Sequence, residues 1–287
     1  MAYSSSWYGY KMRGNMIRNI VVFLCVVGIP FGVHAQEVSV PVVFHRQEHS
    51  LSCEVAALKM ALGAQGVEVA EQELISKLPF DPTLRTNGVW GDPNIGFVGK
   101  IDGQMMVDGY GVHWDPIAKL GQKYAATEVM RAGSVSQLAK HIKNGNPVII
   151  WMHYGNGQTH TWNTIKGKKI TGIHGEHTIV AYGFDGPAHA PTRLYTMDPV
   201  IGKESWTPSE LTGKWNALGR MGVVVRPRYQ FVRLPNDTQI WHINSAQKIR
   251  YAIETWKEFI ALRTSGQSIK TVDNRTLSTY TRRSTPL

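Results

Sequence analysis

Cysteine is scarce in this chain. Cys25 and Cys53 are the only two among 287 residues, so no framework of disulfides holds the fold. Apolar runs long enough to cross a bilayer are also missing. The candidate, Ile20 to Val33, has 14 residues and is broken by Gly28, Pro30 and Gly32, whereas a spanning helix needs about 20. No acidic residue precedes Glu37. No G-x-x-x-x-G-K-[ST] loop is present to cradle phosphates, which excludes a transporter driven by nucleotide hydrolysis. The segment 36–225 contains no internal repeat or low-complexity tract.

The missing acids give the N-terminus its character. Lys11, Arg13 and Arg18 precede the apolar run, and Val33-His34-Ala35 is a small-residue cleavage pattern ending before Gln36. This order predicts an export signal over 1–35, of ordinary length if translation starts at Met16, and a secreted or extracytoplasmic location. An uncleaved membrane anchor is the alternative. Leu24 is not the small residue that precedes the cysteine of a lipoprotein signal. After cleavage one thiol, Cys53, remains in a compartment where disulfides are common. A lone thiol there is either a liability or a tool.

Gln47 to Met60 reads QEHSLSCEVAALKM. Ala56, Ala57, Met60 and Ala61, with Leu58 and Leu62, give apolar positions recurring every three to four residues, and Ser50 and Ser52 are N-cap types. Cys53 is therefore expected in the first turn of a helix. There the dipole and unpaired N–H groups favour a thiolate and draw its pKa from about 8.5 toward neutral. The Cys53 N–H and the side-chain amide of Gln47 are candidate donors to an oxyanion. A buried structural cysteine beside an unrelated glutamine is the bland alternative.

A thiol hydrolase also needs a base. His177 begins the strand-like run HTIVAYGFD, and Asp198 ends the next one, RLYTMD, so antiparallel pairing would lay that carboxylate on imidazole Nδ1. His174 and His153 are the second and third choices of base. Asp185 could replace Asp198, but sits in a DG turn that it suits by itself. His45, His49 and Cys53 stand four apart, yet the extended lead-in from Pro41 to Phe44 keeps them off one helical face. No metal or cofactor is expected.

Helical patterns at 53, 71–78, 115–124 and 134–143 precede strand-like runs at 147–154, 177–185, 193–198 and 221–225. Ser134 and Gln137 form a capping box. Helices followed by a strand-rich half predict an α+β fold. The Gly- and Trp-rich stretch 87–111 is expected to shape a cleft, and 155–176 to be a solvated hairpin. Charge then separates the chain. Residues 36–225 hold 17 Lys and Arg against 17 Asp and Glu, while 226–287 hold 11 against 4. Pro227 marks the expected boundary between a catalytic domain, 36–225, and a small basic module, 226–287. That module has strand patterns at VRL, TQIWHI and KIRYAI and a helix near 255–262. A basic surface outside the cell meets anionic wall polymers or a membrane surface; nucleic acid is not expected.

Gln47 with Cys53 six residues later, GFVG at 96–99, YGVHW at 110–114, GNPVIIW at 145–151, GEHTIVAYGFD and YTMDPVIG resemble the C39-like peptidase family. These are papain-fold cysteine hydrolases related to the proteolytic domain of bacteriocin-processing transporters. The resemblance covers 45–225. It implies a papain-like fold, a peptide or protein substrate, Cys53 as nucleophile, His177 as general base, Asp198 as its orienting partner and Gln47 as oxyanion donor. Glu54 follows the cysteine where the family usually has glycine. Its carboxylate is expected either to point into solvent or to raise the thiol pKa. A catalytically weak binding module at the cell surface is the alternative function.

Overall fold

The segments 148–152, 179–184 and 222–225 contain only apolar residues, tyrosine and glycine, as strands covered on both faces do. In a computed structural model these segments form the centre of one antiparallel sheet. The structure describes residues 37–245, 248–262 and 269–284. The expected export signal and Cys25 lie outside the described residues. No helix among those described is long and apolar enough to cross a membrane.

The chain opens with β1 (Val38–Ser39), α1 (Cys53–Gly63) and α2 (Glu71–Lys77). Three short strands follow, β2 (Phe80–Asp81), β3 (Phe97–Gly99) and β4 (Gly109–Gly111), then α3 (Trp114–Gly121), β5 (Ala126–Met130), α4 (Val135–Lys143) and β6 (Val148–His153). A hairpin of β7 (Thr159–Asn163) and β8 (Lys169–Ile173) leads into β9 (Glu176–Asp185), β10 (Arg193–Asp198), β11 (Gly202–Trp206), α5 (Pro208–Trp215) and β12 (Gly222–Arg226). The main sheet has seven strands in the order β11-β10-β9-β6-β12-β5, with β1 also paired to β9.

Alternation along the central strands divides two cores. Ile149, Trp151, Val180, Tyr182, Val223 and Val225 face α1, while Val148, Ile150, Ile179, Ala181 and Val224 pack with Leu138 and Ile142 of α4 and Leu211 and Trp215 of α5. Helix α1 is buried on almost every side, from Val55 to Leu62, more than the one-sided stripe its sequence predicts. Each large apolar side chain so covered stabilises the fold by roughly 1.5–3 kcal/mol.

The capping box before α4 forms: the Gln137 N–H donates to Ser134 Oγ at 3.2 Å and the Ser134 N–H to Gln137 Oε1 at 2.9 Å. A second box, Thr207 with Glu210 and Pro208 at the first helical position, starts α5; its T-P-S-E signature is legible in the sequence. The 155–176 segment is a hairpin, but not a solvated one. Its Trp162 and Ile170 are buried against Trp90, Val98 and Tyr110 from the 87–111 stretch.

After β12 a separate five-stranded sheet forms from β13 (Tyr229–Arg233), β14 (Ile240–Asn244), β15 (Ile249–Ile253), β16 (Ile269–Thr271) and β17 (Thr281–Arg282), with α6 (Trp256–Leu262) and α7 (Asn274–Ser278). Phe231, Tyr251, Ile253 and Phe259 form one small core of its own, and Val232, Ile243 and Leu277 another. It touches the main sheet's layer through polar groups, including Lys270 Nζ donating to the Asn144 carbonyl at 3.2 Å.

Candidate active site

The N-terminus of α1 meets the start of β9. Ser52 is the cap residue, yet its hydroxyl does not cap; it bonds the backbone N–H and carbonyl of His49 instead. The Cys53 N–H, first of the helix, has no acceptor among the described residues, as expected for an uncapped helix end.

Cys53 is buried, and burial, with the carboxyls of Glu54 and Glu176 behind it, pushes the thiol well up from its ordinary value; the Thr178 N–H acts in the other direction. This overturns the expectation that the helix terminus draws the thiol toward neutrality. Desolvation and two neighbouring carboxyls outweigh the dipole. Glu54 does not point into solvent either. It is 1 % exposed, its Oε1 accepts from the Val112 N–H at 2.7 Å, and its Oε2 lies 3.5 Å from the Cys53 thiol, which donates to it. Burial lifts Glu54 to about 7.

The segment opposite is shaped to receive that carboxyl. Gly111 has φ 129°, in the region glycine favours, and a Cβ there would stand 2.3 Å from Glu54 Oε1. Trp151 Nε1 donates to the Val112 carbonyl at 3.0 Å, so Val112 is tied on both sides. The neighbouring His113 donates from Nδ1 to Asn94 Oδ1 at 3.0 Å, and burial lowers it to about 3, which holds it neutral.

His177 and Asp198 are brought together, though through the other ring nitrogen. Asp198 Oδ2 lies 2.9 Å from Nε2, not Nδ1, a choice set by the rotation of the His177 side chain at the strand end. Nε2 is thereby committed and Nδ1 is the free nitrogen. Asp198 also accepts from Tyr154 OH at 2.8 Å and from the Val200 and Ile201 N–H groups at 2.6 and 3.1 Å. Burial opposes its charge, but His177, the Val200 N–H and the Tyr154 hydroxyl together hold the carboxyl below its usual range. No hydrogen bond joins the Cys53 thiol to His177 among the described residues; the thiol's bond is to Glu54. Of the other two histidines, His153 packs its ring near the Tyr154 carbonyl and Gly157, and His174 lies beside His160.

Gln47 is anchored to the same corner by its backbone N–H, which donates to the Pro199 carbonyl at 2.9 Å. Its side-chain NH2 donates to the carbonyls of His49 and Ser50 at 2.7 and 3.0 Å, and its buried Oε1 has no donor. The His45, His49 and Cys53 trio does not converge. His45 bonds Glu71 at 2.7 Å, His49 bonds Asp102 at 2.9 Å and Cys53 bonds Glu54.

The conserved pattern of the Peptidase_C39 like family matches residues 39–223, from β1 into β12. The chain belongs to that family. The protein YvpB of Bacillus subtilis (strain 168) is 30 % identical over 182 residues, which cover 61 % of this chain and 68 % of YvpB. A crystal structure of a C39-like protein from Bacillus anthracis superposes with a TM-score of 0.58 at 26 % identity, over 67 % of this chain and 98 % of that one. The α+β architecture is thus that of a C39-like peptidase fold, and the family's substrates are peptides or proteins.

Sequence reasoning missed Glu176, Thr178, Tyr154 and Glu204. Tyr154 OH donates to both Asp198 and Glu204, at 2.8 and 2.7 Å. Glu176 had a signal: a carboxylate opening an apolar ten-residue strand, directly before the histidine singled out as the base.

Proposed function

We propose that this chain is an exported cysteine peptidase in which Cys53 is the nucleophile, His177 the general base and Asp198 the residue that orients it. The observation that carries this reading is the His177–Asp198 pair, which fixes Nε2 and leaves Nδ1 free at the strand end next to the first turn of α1. His177 Nδ1 takes the thiol proton, and the sulfur attacks the scissile carbonyl carbon. The oxyanion faces the unpaired Cys53 N–H at the helix start. Collapse expels the amine, which takes its proton from Nδ1. Water then loses a proton to His177, attacks the thioester and releases the acid and the thiol. Before attack the thiol proton must turn from Glu54 to His177. Gln47 donates to an oxyanion only by giving up its bond to His49 or Ser50.

A cavity of about 560 Å³ flanks the nucleophile loop and is lined by Ile75, Leu78, Phe80, Phe97 and Ile101. The Ile101 carbonyl accepts from the Leu51 N–H and Asp102 bonds His49, so the cavity borders the loop leading into Cys53 and suits an apolar substrate side chain. The basic module 226–287 is the part suited to holding the enzyme at anionic wall polymers or a membrane surface. The export signal over 1–35 completes this reading.

Cys53→Ala should abolish hydrolysis of a peptide library scored by mass spectrometry while leaving the circular dichroism spectrum unchanged. Retention of more than about a tenth of wild-type turnover removes Cys53 as nucleophile. One observation favours a second reading, a binding module with weak or no catalysis: the thiol is buried between two carboxyls and donates to one of them. Absence of turnover together with slow iodoacetamide labelling at pH 6 selects that reading.

A further inference from the structure

Two carboxyls lie beneath the nucleophile that the proposed mechanism does not use. Glu54 comes from α1 and Glu176 from β9, and they are 1 % and 3 % exposed. A Cβ on Gly111 would be 2.3 Å from Glu54 Oε1 and 3.9 Å from Glu176 Oε2, so the two carboxyls border the same small space. The titratable groups facing that space are Cys53 from α1, Tyr110 from β4 and His177 from β9. His153 is the cross-strand partner of Glu176 on β6, but its ring turns toward Gly157. Among the described residues no Lys or Arg pairs with either carboxyl.

Two buried carboxylates without a cation cannot both be ionised at modest cost. Donors decide where a single charge resides. Glu54 receives the Val112 N–H and the thiol. Both oxygens of Glu176 lack a hydrogen bond of good geometry, as does the Thr178 hydroxyl; Tyr110 and Thr178 stand beside the carboxyl without completing one. A shared metal ion is not the answer, because these groups do not bring three ligand atoms within reach of one another. Among the described residues only His45, Glu48 and Glu71 do so, and Glu71 is already bonded by His45 and the Glu48 N–H.

We propose that Glu54 and Glu176 form one titrating pair beneath the nucleophile, holding two protons in acid and one above neutrality, and that the state of this pair sets the pH at which Cys53 becomes reactive. The proposal rests on Cys53 being the reactive thiol of the reading above. Glu176 keeps the proton and Glu54 is the member that ionises. Below neutrality both are uncharged, and Cys53 is free to pass its proton to His177. As pH rises, Glu54 becomes an anion 3.5 Å from Sγ, and like-charge repulsion holds the thiol protonated. Burial, which raises both carboxyls, places this step near neutral pH rather than in the usual carboxylate range. Both glutamates are positioning residues acting through the thiol.

The test is the rate of Cys53 alkylation by iodoacetamide in the wild-type chain and in Glu54→Gln, at pH 5.5 and pH 8. Glutamine keeps an acceptor for the Val112 N–H and removes the charge. At pH 5.5 the two rates should match. At pH 8 Glu54→Gln should react roughly tenfold faster, since a shift of one pKa unit changes the thiolate fraction tenfold. The same ratio at both pH values, or a slower variant at pH 8, overturns the proposal. Infrared spectra give a second readout: the wild-type chain should show a buried protonated-carboxyl band that loses intensity between pH 5.5 and 8. Part of it should persist above neutrality and vanish in Glu176→Gln. A band constant across that range, or unaffected by Glu176→Gln, likewise overturns it. Neither readout uses substrate. A chain that hydrolyses nothing yet shows the pH-dependent ratio loses the peptidase reading and keeps the pair. The reverse outcome loses only the pair.

Discussion

Asp198 and Glu176 are carboxyls on neighbouring strands of one sheet, both closed to solvent, and their environments drive them opposite ways. Asp198 is met by four donors: His177 Nε2, the Tyr154 hydroxyl and two backbone N–H groups. Glu176 is met by a second carboxyl and by no completed hydrogen bond. Burial penalises both charges, but donors overcome it for Asp198 and nothing does for Glu176. Ionisation in this site is therefore set by how many N–H and O–H groups the fold aims at each acid. The turn Pro199–Ile201 supplies them on one side, and the glycine-bearing segment at Gly111 supplies space on the other.

The strongest way to break this contrast is to remove the charge from the well-served side. Asp198→Asn cannot hold His177 with Nε2 protonated as donor and Nδ1 free as base, because its amide can turn an N–H toward the ring. Turnover should fall by about 10² to 10⁴-fold with little change in KM, since the orienting bond acts on the base rather than on substrate binding. Steady-state kinetics on a peptide substrate would decide it. A loss of less than about tenfold would show that His177 is oriented by its packing on Tyr154, whose ring centroid is 5.4 Å away.

Half of this contrast was legible in the sequence. His177 and Asp198 fall at the ends of two adjacent apolar strands, and period-two alternation with a short connection is enough to place them side by side. Which ring nitrogen meets the carboxylate depends on side-chain rotation at the strand end, which alternation does not encode. Glu54 stood out as a charged residue in an apolar helix, but its fate turned on Gly111 and Val112, more than fifty residues away at the end of the short strand β4, where the sequence has no periodic pattern. The expectation of a lowered thiol pKa counted the helix dipole, a local effect. It omitted Glu176, which only the packing of β9 against α1 brings near. The capped helices α4 and α5 show the opposite case, in which short-range hydrogen bonds carry the whole signal.

A smaller effect tests the poorly served side through stability. Unfolded Glu176 ionises near pH 4.3, whereas the folded carboxyl, raised by burial and by Glu54, keeps its proton to higher pH. The folded state binds more protons in that window, so the residue destabilises the fold progressively as pH rises from about 4 through neutrality. Asp198 has the reverse sign: its lowered folded value contributes stability above about pH 3.9 that is lost as acid titrates it. Glu176→Gln should be matched with wild type in urea denaturation at pH 4 and more stable by on the order of 1 to 3 kcal/mol at pH 7.5. Equal stability at both pH values would mean that Glu176 finds donors in solution that balance its charge.

The smallest effect concerns the basic module, which sharpens the comparison by extending it from single acids to whole layers. Its cores, around Phe231 and Val232, are separate from those on either side of the main sheet. Its positive charges are partly stacked on its own aromatics: Arg250 and Arg282 lie 4.8 and 5.3 Å from the Trp241 ring, and Lys248 lies 5.3 Å from Tyr280. Truncation should follow Pro227 rather than Val225, because Arg226 still pairs with Ala126 in β12 and bonds Glu128 at 2.6 Å. We expect the shortened chain to keep the main sheet and the Cys53 alkylation rate, with the melting temperature shifted by no more than about 4 °C, the scale of a 1 kcal/mol change in a domain of this size. It should also lose sedimentation with anionic liposomes at low salt, since residues 36–225 carry equal numbers of basic and acidic side chains and leave little net attraction at a distance. A chain that unfolds after this cut would make the polar contacts at Asn144 and Gln122 part of the catalytic layer's own stability. Unchanged sedimentation would move the attachment surface onto the main domain, where a charge-balanced face must then hold a local basic patch.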